Sequence, residues 1–138
     1  MGLVLDTSVI VEAERRTIAF ESLMEAVKDE PVGLAAITAS ELLHGCHRAR
    51  DAGTRARRFA FVEALLGLIP VLDFGLAEAR RHAELWAELA RKGTVVGAHD
   101  LLIAATALAN GWALATLRVR EFRRVPGVTL VSLAPYVR

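Results

Sequence analysis

Short apolar runs alternate along this chain with longer segments whose apolar residues recur every three to four positions. The runs GLVL (2–5), PVGLA (31–35), LIPVLD (68–73), WALAT (112–116) and VTLVSL (128–133) predict five strands. Helical spacing predicts helices over 7–16, 18–29, 38–51, 54–67, 76–92 and 100–110, and a turn or short helix over VREFRR. Gly93 and the pair Asn110-Gly111 read as the stops of the last two long helices. The strands are apolar without in–out alternation, as strands are when both sheet faces are covered. The pattern therefore predicts an α/β fold with a parallel sheet flanked by helices. In such sheets the working site lies beyond the carboxyl ends of the strands, where Asp6, Asp73 and Thr116 fall.

Length and composition narrow this picture. The 138 residues suit one domain, taken as 1–138. The chain is 54% hydrophobic with a mean hydropathy of +0.37, yet no segment reaches the roughly 18 uncharged apolar residues of a membrane span. The opening MGLVLDTSVIVEAERR has no basic start and carries Asp6 within its apolar run, so it reads poorly as a signal peptide. One cysteine, Cys46, excludes an intrachain disulfide and fits a reducing, cytoplasmic setting. Net charge is only +1, so there is no global attraction for polyanions. The basic residues are nearly all arginine, with one cluster at Arg48, Arg50, Arg55, Arg57 and Arg58 and another at Arg118, Arg120, Arg123 and Arg124. These read either as a phosphate-holding rim or as a solvated face.

Three acids carry the candidate chemistry, and each has a structural reading beside the functional one. Asp6 can cap the helix that follows it. Thr38-Ala39-Ser40-Glu41 has the spacing of a capping box. Asp100 can face the positive end of a helix dipole, but its helix, DLLIAATALAN, is apolar on nearly every face, so the carboxylate is expected to be desolvated and to need a partner. If the acids converge, their repulsion calls for a cation, and hard oxygen ligands suit Mg²⁺ or Mn²⁺. The sequence HGCH (44–47) lacks the second ligand pair of a zinc site. Trp86 and Trp112 read as core residues.

In combination, LDTSVIVE, TASELLHG, GAHDLLIAATALANGWALAT and VREFRRVPGV resemble the PIN-domain family, and within it the VapC-type toxins. The resemblance implies a three-layer sandwich around a five-stranded parallel sheet. It implies that Asp6, Glu41 and Asp100 are clustered metal-binding acids of a Mg²⁺- or Mn²⁺-dependent endoribonuclease. It also implies a homodimer, neutralised by a VapB-like antitoxin. The family commonly shows T-x-[N/D]-x-x-[D/E/H]-F after the fourth strand. Here the segment is Thr116-Leu117-Arg118-Val119-Arg120-Glu121-Phe122, so Thr116, Glu121 and Phe122 match while Arg118 replaces an expected ligand. That leaves open the second metal position and Glu121's part in it. An inward Arg118 opposes a metal electrostatically; an outward one joins Arg120 as a contact for RNA phosphate.

The expected reaction is metal-assisted phosphodiester hydrolysis. Asp6 and Asp100 hold the ion, Glu41 binds it directly or through water, and Ser8 and Thr116 fix the acids. Two rivals remain. A phospho-receiver-like domain needs a second acid beside Asp6 and a late lysine, and both are missing. A non-catalytic RNA-binding module keeps the acids but lets Arg118 weaken the site.

Overall fold

The computed structural model describes residues 1–138. Five strands, β1 (Leu3–Leu5), β2 (Val32–Ala35), β3 (Val71–Leu72), β4 (Ala113–Ala115) and β5 (Leu130–Val131), form one sheet in the order β3-β2-β1-β4-β5. Every pairing is parallel. The helices are α1 (Thr7–Glu14), α2 (Phe20–Ala26), α3 (Ala36–Arg48), α4 (Ala52–Leu68), α5 (Leu76–Lys92), α6 (Ala98–Asn110) and α7 (Val119–Phe122).

Alternation along the central strands divides the core in two. Leu3, Leu5, Ala113 and Ala115 pack with Val9, Ile10, Leu23, Leu42, Cys46, Val62 and Leu65, covering one face with α1–α4. Val4 and Leu114 pack with Leu85, Leu89, Ile103, Ala104 and Phe122, covering the other with α5–α7. Chain order runs outward from β1 to β3 and then restarts on the other side of β1 with β4, so helices change face as right-handed crossovers require. The reversal opens a crevice at the carboxyl ends of β1 and β4.

Several boundaries shift from the sequence expectation. The third strand shrinks to two edge residues because α4 continues through Leu68. Helix α3 starts at Ala36, two residues early, because Ala35 is both the last residue of β2 and the helix N-cap. Thr38 therefore lies inside the first turn, fully buried, and the expected capping box does not form. Gly93 and Gly111 do stop α5 and α6, with φ of +67° and +68° that a side chain would strain. Trp112 packs against the core and over Gly2, where an added Cβ would collide with its ring. Trp86 is not a core residue; it is 63% exposed, because Leu85 and Leu89 are the α5 positions that face the sheet.

Candidate active site

Asp6 follows the last residue of β1 and is fully buried. It is the N-cap of α1 by position, but its side chain makes no capping bond. Two hydroxyls claim one of its oxygens instead. Ser8 Oγ and Thr116 Oγ1 each donate to Asp6 Oδ2 at 2.7 Å. Behind them, the backbone N–H of Leu117 donates to Ser8 Oγ and that of Arg118 to Thr116 Oγ1, at 3.2 and 2.9 Å. Each hydroxyl accepts from the backbone and sends its single proton to Asp6, so the carboxylate is held rigidly from the first turn of α1 and the end of β4. The other oxygen, Oδ1, is buried without a partner. Burial pushes the Asp6 carboxyl above its ordinary pKa, the Ser8 and Thr116 hydroxyls pull it partly back, and the charge of Asp100 raises it again.

Asp100 lies in the first turn of α6 and is also buried. Both of its oxygens are taken by Arg118, Nη1 to Oδ1 at 2.7 Å and Nη2 to Oδ2 at 2.8 Å. The outward, phosphate-facing orientation considered for Arg118 is thus not found: desolvation of Asp100 draws the guanidinium inward. The fork holds Arg118 even more firmly protonated than a free guanidinium, chiefly through its hydrogen bonds to Asp100. Glu121, at the start of α7, adds its negative charge beside Arg118. Arg120 is exposed.

Glu41 projects from α3 and is partly exposed. Its Oε1 accepts from Thr7 Oγ1 at 2.7 Å, and Thr7 Oγ1 lies 3.0 Å from the buried Thr38 hydroxyl. Its Oε2 lies 3.3 Å from His99 Nδ1, next to Asp100 in sequence. The sequence pattern does not reveal Thr7 and His99 as partners of Glu41, and the early start of α3 removes the capping-box alternative, leaving the reading of Glu41 as a functional acid. A 310 Å³ cleft opens beside Glu41, with Arg15, Arg48 and Arg58 on its walls.

Asp6, Asp100 and Glu41 each make separate hydrogen bonds here. No group of three His, Cys, Asp or Glu side chains is gathered closely enough to hold a metal. Asp6 is held by Ser8 and Thr116, Asp100 by Arg118, and Glu41 by Thr7 with His99 beside it. The donor chemistry nevertheless fits a divalent ion at Asp6. A buried, rigid carboxylate oxygen with no hydrogen bond costs stability unless something positive reaches it.

A parallel sheet that carries such an acid at its reversal point defines the class, and the chain belongs to the PIN domain family, matching it over residues 3–128. Within that family its relatives are VapC ribonucleases. It is 32% identical over 134 residues to Ribonuclease VapC1 of Rickettsia felis, covering 97% of this chain and 98% of that one. It is 36% identical over 97 residues to the tRNA(fMet)-specific endonuclease VapC of Salmonella typhimurium, covering 70% and 71%. The fold is similar to that in the VapBC2 structure of Rickettsia felis bound to a DNA fragment from the promoter, with a TM-score of 0.87, 26% identity, and 95% and 98% coverage.

Proposed function

We propose that this protein is a divalent-metal-dependent endoribonuclease, the toxin of a toxin–antitoxin pair, using Mg²⁺ or Mn²⁺ to hydrolyse RNA phosphodiester bonds. The observation that carries this reading is Asp6: fully buried, clamped through one oxygen and unpartnered at the other, at the crevice between β1 and β4. Asp6 and Asp100 are the residues that would hold the ion, with Glu41 reaching it directly or through water and Glu121 at the far wall. When bound, the ion supplies Lewis acidity and neutralises charge building on the phosphate. Ser8 and Thr116 keep Asp6 aimed. Arg15, Arg48 and Arg58 give an RNA strand a basic approach to Glu41, and exposed Arg120 offers a further phosphate contact.

The cytoplasm, where RNA substrate is available, is the proposed site of action. No helix is long and apolar enough to cross a membrane. Exposed Trp86 and Val95 flank an apolar groove of 420 Å³ between α5 and α6, which supports assembly with a VapB-like antitoxin or a second copy of the chain. A similar structure, VapBC-5 of Mycobacterium tuberculosis, is a member of the VapBC family of toxin–antitoxin systems.

The direct test is cleavage of total RNA by purified protein. Activity is expected with Mg²⁺ or Mn²⁺, to vanish in excess EDTA and to return on adding metal. Cleavage undiminished by EDTA after dialysis would sink the metal assignment. Thr116→Val tests the clamp on Asp6. It keeps the shape but removes one donor, so RNA cleavage should fall about 10- to 100-fold. Because the Thr116 hydroxyl lowers the Asp6 pKa, its loss raises that pKa further, and the acid limb of the rate–pH profile should move to higher pH. A profile with an unmoved acid limb would mean that Thr116 does not act through Asp6.

A further inference from the structure

Arg118 stands where a divalent ion would have to approach Asp100. Its planar fork engages both carboxylate oxygens at 2.7 and 2.8 Å, and its charge also reaches Asp6. Two ionised carboxylates and one guanidinium leave a net negative charge, which is why an additional cation is attractive. A divalent ion added with Arg118 still in place would face a like charge on the same carboxylate. The two cations therefore compete for Asp100.

The guanidinium is built to leave. Asp100 is only 8% exposed at its side chain, whereas Arg118 is 44% exposed. The Arg118 backbone is the N-cap of α7, outside the helical conformation, and its N–H is fixed on Thr116 Oγ1. The side chain can thus swing while the main chain stays anchored. A divalent ion with the two acids cancels their charge, so a displaced Arg118 is a free cation beside the metal, and one phosphodiester neutralises it.

We propose that Arg118 is the resident counter-cation of the metal-free site: it holds Asp100 until a divalent ion displaces it, and the freed guanidinium then binds a phosphate of the RNA. This rests on the metal-dependent reading given above. It makes metal and RNA mutually reinforcing ligands, because each favours the arrangement in which Arg118 has left Asp100.

The test is calorimetric titration of EDTA-treated protein with Mn²⁺ alone, comparing wild type with Arg118→Ala and Arg118→Lys. The Ala variant removes the guanidinium without adding a ligand, and should bind Mn²⁺ at least tenfold more tightly. The Lys variant keeps the charge but loses the fork, so it should fall between. Circular dichroism checks folding; if Arg118→Ala does not fold, Arg118→Lys carries the comparison, with binding several-fold tighter than wild type expected. A second arm measures binding of a fluorescent 2′-O-methyl RNA oligonucleotide, which resists cleavage. Mn²⁺ should tighten it at least fivefold in wild type and less in Arg118→Ala. Equal or weaker Mn²⁺ binding by the folded variant overturns the competition and leaves the metal site standing. No Mn²⁺ binding by either protein overturns both. An identical Mn²⁺ effect on RNA affinity in wild type and Arg118→Ala overturns the transfer of Arg118 to phosphate.

Discussion

Asp6→Asn is expected to cut RNA cleavage severely while making the metal-free protein more stable. The activity loss should be about 100- to 1000-fold, since one group that stabilises the charged transition state contributes roughly 2.7–4 kcal/mol. The stability gain comes from the same burial. Asp6 Oδ1 has no partner, and its carboxyl sits above the usual value of 3.8, first because it is buried. The folded state thus prefers the neutral acid. Asp6 supports folding fully below the unfolded pKa, and that support is lost as pH rises through the folded pKa. Asn carries no charge to desolvate, and its oxygen can still accept from Ser8 and Thr116, while its NH₂ takes the unpartnered place of Oδ1. A gain of about 0.5–1 kcal/mol at neutral pH is expected, because an unpaired buried charge costs more than an unpaired buried amide. That corresponds to roughly 1–3 °C in Tm, shrinking as pH falls toward 4. Thermal melts in EDTA across pH, beside cleavage assays in Mn²⁺, measure both. A variant that melts below wild type at neutral pH would show that the Asp6 charge is not the liability described.

That trade-off explains how much of the site could be read from sequence. Asp6 and Asp100 stood out because each is a charge set against apolar neighbours, and apolar context survives folding as burial. Thr116 can be placed beside Asp6 because adjacent parallel strands end together, Leu5 opposite Ala115, and Ser8 because it follows Asp6 by two residues. For Glu41 only the capping-box alternative fails: a two-residue shift in the start of α3 leaves a Thr38–Thr7–Glu41 chain in its place. Such shifts depend on how tightly β2 feeds the helix, which local propensity does not encode. The five strands were legible as apolar runs, yet the edge strands came out shorter, because pairing rather than hydrophobicity sets their ends. The direction of Arg118 was not legible at all. It is decided by the energy of a buried carboxylate across the crevice, eighteen residues away in sequence.

Asp100→Asn should lose cleavage as severely as Asp6→Asn but move stability the other way. Here the carboxylate is satisfied: two charge-assisted bonds from Arg118 close on it, and little of it is exposed. The Asn amide can offer only one acceptor to that fork, and its NH₂ group faces N–H donors. Charged hydrogen bonds are worth about 1.5–3 kcal/mol when well enclosed, but the exposed part of Arg118 is screened by water. A loss of roughly 0.5–1.5 kcal/mol, or about 2–5 °C in Tm, is therefore expected in EDTA. Mn²⁺ should raise the Tm of wild type, because an ion that binds only the folded state stabilises it by mass action, and should leave both Asn variants nearly unmoved. The opposite signs in EDTA are the informative result. A single acidic cluster awaiting a cation would gain stability on losing either charge. Gain at Asp6 and loss at Asp100 are expected only where a resident guanidinium already serves one acid and leaves the other short. If Asp100→Asn melts above wild type, Arg118 contributes no net stabilisation to Asp100. If it cleaves RNA within tenfold of wild type, Asp100 does not hold the ion.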